Sequence, residues 1–464
     1  MTRAIAPPLR DYLLGTTHRK DALEGVLWEK LRRQLTGRDD GTEQETGRTA
    51  EPPHEGRGIV LPPARSQRGA RCENLDAAAD LGLILRDAAG IVRWEPVNPN
   101  AEHRTCPSPG NRFTVDVEVA CRGGEGVQWF RYLPRNRMLA EMTGCGEPHS
   151  LERHDLVIVL RGHVDRCAQP YGDLALCLAT IEIGAMLAQL ALALGSTGLG
   201  AESVRFVSHG SGLDPVLYAR VRAPELAGWL ARAPSVPVCF AEPVRRRPDE
   251  IGGRLLRDLR TFVSSHAPEL ELFPHGLTVS DCGTLLRATF VRSSGLDLNA
   301  VAEGRPDGAR LTALLDTICR LHSAFQGLTM LPFRLDVRLD TPLENAGWEG
   351  PAEDTPAWLH VDSASDPGGS TGYAYPGGAV IMTVSADLRD YVARTGAIFI
   401  SAMHLAAGIA TQIVCIAAAQ AGLACRPMRS FDHAAADALL PIDCWSLIQL
   451  VVYDDRAPNP AFAL

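Results

Sequence analysis

Two apolar stretches share a glycine spacing that limits what this chain can build. Gly184 and Gly198 stand fourteen positions apart in IEIGAMLAQLALALGSTGLGA, with Gln189 between them. Gly408 and Gly422 stand fourteen apart in LAAGIATQIVCIAAAQAGLAC, with Gln412 between them. The upstream segments keep the same order: PSPGNRFTVDVEVAC from Pro107 in one case, GLTMLPFRLDVRL from Gly327 in the other. A pattern that returns at long range suggests two related halves. Such halves can bury against each other the surface that identical subunits would bury across a two-fold axis.

With 464 residues, 45% of them hydrophobic, the chain can bury two cores of ordinary size. Its net charge of -9, from 46 basic and 55 acidic side chains, offers no positive field for nucleic acid or an anionic membrane. The twelve cysteines lack the Cys-x-x-Cys spacing of a zinc or redox site. No metal is expected, and most thiols read as small buried hydrophobes in a reducing compartment. The opening MTRAIAPPLRDYLLG places charges before any apolar run of signal-peptide length, so the expected location is the cytoplasm. The apolar stretches 178–201 and 397–425 carry Glu182, Gln189, His404 and Gln412 and read as buried helices rather than membrane spans.

Residues 16–60 begin as a helix and end in charge, Gly and Pro, which reads as a mobile segment. A helix is expected over 75–89. FTVDVEVAC (113–121) and HDLVIVLRG (154–162) read as strands, and GVQWFRYLPRNRMLAEM between them as a hairpin turning at LPRN. In the second half LTALLDTICRLHSAF reads as a helix, FRLDVRLD, GAVIMTVSAD and SLIQLVVYD as strands, and 344–374 as a long Gly- and Pro-rich insertion. The stretch 205–289 bridges the halves, with RRRP at 245–248 as a surface turn. Helices and strands mix in an α+β manner.

No hydrolase, zinc-protease, P-loop or dinucleotide motif occurs with its proper context. What remains is a set of glycine-interrupted helices, a Pro-Ser-Pro-Gly loop and isolated arginines, which suits a flat cofactor with a phosphate tail. The order of these features resembles the nitroreductase-like flavoprotein superfamily, and within it the SagB/McbC-type dehydrogenases similar to azoline oxidases. The first half carries QRGAR (67–71) as a worn phosphate motif, PSPG (107–110), the hairpin, and Arg166, Tyr171, Gly172, Glu182 and Gly184 in register. The second carries RSSG (292–295) and the Gly408, Gln412, Gly422 helix.

The resemblance implies two nitroreductase-like domains in an intrachain pseudo-dimer: 1–60 as an N-terminal segment, 61–245 as the first domain, 246–289 as a connector and 290–464 as the second domain. It implies FMN, contacted by Arg68, Arg71, Ser108 and Gly110 from the first half and Arg292, Ser293 and Gln412 from the second. Pro170 stands where azoline dehydrogenases place a lysine, which leaves Tyr171 as the acid or base. Glu182 reads either as a partner of Arg166 or as a site residue, and His322 and His404 as hydrogen-bonded core imidazoles. The implied activity is an FMN-dependent dehydrogenase or oxidase acting on a peptide- or amino-acid-derived substrate in natural-product biosynthesis, as in azoline-to-azole oxidation. The alternatives are a flavin-free scaffold for a peptide or a partner biosynthetic enzyme, and an NAD(P)H-dependent nitro or quinone reductase. Fused chains could pair again as a homodimer.

Overall fold

The computed structural model describes residues 54–62, 73–94, 102–123, 126–143, 155–207, 214–240, 269–272, 282–292, 306–325, 331–338, 356–362, 379–429, 431, 433–454 and 462–463. Arg68, Arg71, Ser293 and the basic turn at 245–248 lie outside them. In chain order the elements are β1 (His54–Val60), α1 (Glu73–Ala89), β2 (Ile91–Trp94), β3 (Glu102–Arg104), β4 (Val115–Gly123), β5 (Gly126–Leu133), β6 (Met138–Met142), β7 (Asp155–Gly162), α2 (Val164–Tyr171), α3 (Ala175–Ser196), β8 (Ala201–Val207), β9 (Val216–Arg222), α4 (Pro224–Leu230) and β10 (Val236–Phe240). Then come β11 (Glu269–Leu272), α5 (Cys282–Val291), α6 (Gly308–Ala324), β12 (Arg334–Arg338), β13 (Leu359–Asp362), β14 (Val380–Asp387), α7 (Leu388–Thr395), α8 (Phe399–Gln420), β15 (Ala424–Met428), α9 (His433–Asp437), β16 (Cys444–Tyr453) and β17 (Phe462–Ala463).

The alternating run in β4 pairs with β7, whose centre Leu156–Leu160 is apolar, and LPRN closes the β5–β6 hairpin, where Asn136 N donates to Leu133 O at 3.2 Å. The nine-stranded sheet runs β10-β1-β6-β5-β4-β7-β9-β8-β11, antiparallel throughout. A five-stranded sheet runs β13-β12-β14-β16-β15, with β13 parallel to β12 and inside the expected insertion. A third sheet joins β17 to β2 and β3, so residues 462–463 return to the first half. β1 replaces part of the expected mobile segment. It has no apolar period of its own, but β10 and β6 satisfy its backbone on both edges.

One geometric unit occurs twice at constant offset. α2 ends at Gly172 (φ 53, ψ -125) and α7 at Gly396 (φ 57, ψ -129); each is followed by a single 3-10 turn and a 22-residue helix. Both long helices close on a left-handed glycine, Gly198 (φ 76) and Gly422 (φ 70). Leu199 N donates to Leu194 O, and Leu423 N to Ala418 O, at 3.0 and 2.8 Å, which are the outer bonds of two Schellman caps. The strand orders β4-β7-β9-β8 and β12-β14-β16-β15 also correspond.

α3 and α8 are apolar on every side, as helices enclosed by protein are. Each is long and apolar enough to cross a membrane, and the apolar window of each is fully buried by the surrounding protein. They meet backbone to backbone. A Cβ added at Gly184 would lie 2.1 Å from the Leu405 carbonyl oxygen, and one at Gly408 would lie 2.0 Å from that of Ile181. Glycine is therefore required at the crossing by space. The contact also joins the interior: one apolar cluster holds Leu81, Val119, Ile158 and Leu187 together with Leu315, Met382, Ile409 and Leu450, where composition had suggested two cores.

Candidate functional site

The segment Arg104–Thr114 leaves β3, passes the α3–α8 pair and enters β4. Its backbone is unusual: Gly110 (φ 54), Asn111 (φ 56) and Phe113 (φ 50) are all left-handed, and two of them carry side chains. Each such non-glycine residue costs about 1–3 kcal/mol and persists only where its surroundings hold it. Asn111 Nδ2 donates to Glu102 O at 2.9 Å, Phe113 N donates to Ser108 Oγ at 2.7 Å, and Arg112 N donates to Pro109 O at 3.1 Å.

Beneath the loop, Glu182 of α3 supplies the main anchor. Its Oε2 accepts from Ser108 Oγ at 2.9 Å, from Thr114 N at 3.1 Å and from Thr114 Oγ1 at 2.5 Å. Burial raises the Glu182 carboxyl above its ordinary value, against the opposing pull of Thr114, Arg104 and Ser108. Arg166 is not its direct partner. The Arg166 guanidinium makes two 2.8 Å bonds to Asp116 and a third to Phe113 O. His163 Nε2 lies 2.9 Å from the same Asp116. Burial works to raise Asp116, but Arg166 and His163 outweigh it and hold the carboxyl well below the usual carboxylate range. Arg104 lies over the Phe113 ring, 4.0 Å from its centroid, with its Nε buried and without a hydrogen-bond partner. Burial lowers its pKa, and Glu182 and Asp116 oppose that shift.

Three of the sequence candidates meet here. Ser108 gives its hydroxyl proton to Glu182, and Gly110 faces Tyr171, whose hydroxyl would stand 2.8 Å from a Cβ at that position. Burial and the neighbouring Cys167 raise the Tyr171 phenol above its ordinary value, so it is protonated near neutrality. Two more candidates reach the start of the same segment from the second half. Arg292, buried at 5% exposure, donates from Nη2 to Arg104 O at 3.2 Å. Gln412 donates from Nε2 to Thr105 O at 3.2 Å and to Gln189 Oε1 at 2.7 Å, leaving its own Oε1 buried without a partner. Gln189 in turn donates to Asp87 O at 2.8 Å. Arg68, Arg71 and Ser293 belong to the undescribed residues.

Thr114, Arg104, Asp116 and the Gln189–Gln412 pair escaped the sequence reading. The equal glycine spacings carried a signal for the last, since Gln189 lies within the first and Gln412 within the second. A surface groove of about 680 Å³, between α6 and the end of α8 and lined by Asp316, Cys319, Arg320 and Gln420, contains none of the site candidates. His404 is a hydrogen-bonded core imidazole, with Nδ1 2.7 Å from Ile400 O. His322 instead stacks on Trp358 at 3.8 Å, with Nδ1 buried and unbonded.

A structure of a protein described as a nitroreductase from Anabaena variabilis superposes with a TM-score of 0.58 at 15% identity, over 90% of this chain and 96% of that one. The fold is nitroreductase-like. An alignment of that extent takes in most of both halves of the chain. Two further matches are smaller. A protein described as a nitroreductase from Ralstonia eutropha matches 37% of this chain and 97% of its own at 21% identity and a TM-score of 0.26. The Escherichia coli microcin synthetase McbBCD complex, with truncated pro-MccB17 bound, matches 34% of this chain and 60% of its own at 16% identity and a TM-score of 0.20. No family model and no curated protein sequence matches the chain.

Proposed function

We propose that this chain is an FMN-dependent oxidoreductase whose cofactor lies against Arg104–Phe113, where the two halves meet. The observation that carries this reading is convergence: Ser108, Gly110 and Tyr171 from one half, and Arg292 and Gln412 from the other, reach one strained loop. On this reading the repeated unit reflects two nitroreductase-like domains, 61–245 and 290–464, fused as a pseudo-dimer around the Gly184–Gly408 crossing, with 246–289 as the connector.

The residues suit the group. A buried donor, Arg104 Nε, and a buried acceptor, Gln412 Oε1, both lack partners beside the loop, and they match the acceptor and donor edge of a flavin pyrimidine. Gly110 leaves bare the space that a Cβ would fill in front of Tyr171. Arg68, Arg71 and Ser293 would hold the phosphate. Bound FMN would supply the hydride-accepting chemistry, while this chain orients the donor carbon and excludes water. Tyr171, kept protonated, would donate a hydrogen bond or a proton to the substrate in the place where Pro170 removes the amine of the azoline dehydrogenases. The substrate class we propose is a peptide- or amino-acid-derived molecule in natural-product biosynthesis, dehydrogenated in the manner of azoline to azole, in the cytoplasm.

A second reading has its own support. The Ser108 hydroxyl and the Gln412 amide nitrogen are spent inside the protein, as in a flavin-free scaffold that retains the fold to bind a peptide or a partner enzyme. Fluorescence titration with FMN separates the two. Gly110→Ala drives a methyl toward the Tyr171 hydroxyl and should weaken FMN binding by about tenfold or more. Gly198→Ala serves as the control, also at a positive φ (76) and with no atom within 4 Å of the added carbon. Equal FMN affinity in both variants would remove the cofactor from this loop, and wild-type protein that ignores FMN would favour the scaffold.

A further inference from the structure

Two thiols face each other behind the loop. Cys415 on α8 and Cys425 on β15 stand on either side of the Gly422 cap, both buried, with their sulfurs 3.7 Å apart. A disulfide bond is about 2.05 Å long, so the gap closes by about 1.7 Å. Arg292 lies near the Cys415 thiol and lowers its pKa, and its Nη2 holds the Arg104 carbonyl, so one side chain joins the thiol pair to the loop.

We infer that Cys415 and Cys425 form a reversible disulfide under small hydroperoxides, with Cys415 as the attacking sulfur and Cys425 as the resolving one. The Cys415 thiolate attacks one peroxide oxygen and the O–O bond breaks. Sulfur is oxidised to the sulfenic acid, and the departing hydroxide takes a proton to become water. The Cys425 sulfur then attacks the sulfenic sulfur; the S–S bond forms, the S–O bond breaks, and the Cys425 proton leaves with the oxygen as a second water. Two thiols and one hydrogen peroxide thus yield one disulfide and two waters. The two electrons lost by sulfur are gained by the peroxide.

The neighbourhood favours this pair over the other described cysteines. The hydrogen bond with Cys425 and the nearby Arg292 hold Cys415 below its ordinary value, against the opposite effect of burial. Burial pushes Cys106 and Cys121 up to about 12 and raises Cys167 as well. The half-buried Cys319 and Cys444 are also raised by burial, with Asp316 adding to the shift of the first and Asp387 to that of the second. Accessibility alone would direct oxidation to Cys319 or Cys444, whereas the 3.7 Å contact gives Cys415 a second sulfur with which to complete a disulfide.

The test treats the folded full chain with hydrogen peroxide, blocks remaining thiols, and maps the peptides by mass. The expected product is a Cys415–Cys425 cross-link lacking two hydrogens and reversed by dithiothreitol. Cys425→Ser should leave a sulfenic acid at Cys415 that dimedone traps. Alkylation of the untreated wild type across pH supplies a reading that needs no variant: Cys415 should reach half its maximal rate at a lower pH than any other described cysteine. Oxidation that starts at Cys319 or Cys444 with no 415–425 link would overturn the inference, and so would a Cys415 labelling profile no lower than theirs.

Discussion

Alanine at either glycine of the α3–α8 crossing should separate the two central helices. A methyl at Gly184 would lie 2.1 Å from Leu405 O, and one at Gly408 would lie 2.0 Å from Ile181 O. A carbon rests about 3.5 Å from such a neighbour, so the axes must part by about 1.4 Å, and no side chain can rotate aside because the obstacle is backbone. A gap of even 0.5–1 Å forfeits about a quarter to a half of each contact's attraction. Glycine to alanine inside a helix ordinarily gains about 1 kcal/mol, and overpacking in a filled core costs about 1–3 kcal/mol or more. With two fully buried helices displaced, the cost lies at the upper end of that range, and we expect a net loss of about 2 kcal/mol for G184A or G408A in urea unfolding followed by circular dichroism. The double variant should lose less than the sum, because the first methyl has already opened the space that the second needs. G200A, with no atom within 4 Å of the new carbon, should stay within about 0.5 kcal/mol of wild type. If G184A and G408A behave like G200A, the helices do not cross at these glycines.

Other expectations concern the anchor and the caps. Because burial raises Glu182, the folded chain holds its proton more tightly than the unfolded chain does. The contribution to stability is therefore greatest below the ordinary glutamate value of about 4.5 and fades as pH rises through the higher folded value, by up to about 1.4 kcal/mol per pH unit inside that window. Wild type should lose stability relative to E182Q as pH rises above about 4.5 in paired urea titrations; a wild-type advantage that grows with pH would contradict this. G198A and G422A each force a methyl into a left-handed backbone with free space around it, so each should cost about 1 kcal/mol, additively, in thermal unfolding. Strong coupling between them would mean that the two caps are not independent.

The strands and helices that alternation or period could specify were legible in the chain: β4, the β5–β6 hairpin, β7, α1, α6, β14, β16 and both long helices occupy the residues their patterns indicate. β1 was not, because its stability comes from partners far away in sequence rather than from its own side chains. The bridging stretch also hid β9, β10, β11 and α5; β9 and β11 extend the large sheet by pairing with β7 and β8, a fact of topology that no local window contains. At the candidate site, the Pro-Ser-Pro-Gly motif falls in the strained loop, but the left-handed Phe113 gave no signal, since a bulky residue rarely adopts that backbone without tertiary restraint. Charge pairing misled for a similar reason. Arg166 and Glu182 fit one another by sign, yet Asp116 offers a bidentate site and Glu182 is reached first by Ser108 and Thr114. Cys415 and Cys425 are too far apart in sequence to resemble a redox motif, and it is the Gly422 turn that folds one against the other.

The central claim is that the two halves together hold a flavin. The visible spectrum of the purified chain, taken before and after denaturation, with the released cofactor quantified and identified by mass, tests it most directly. The account predicts FMN at one per chain, since Glu182, the anchor of the loop, has Ala406 as its counterpart at the same offset in the second half. A colourless protein that stays colourless after reconstitution with excess FMN would contradict it.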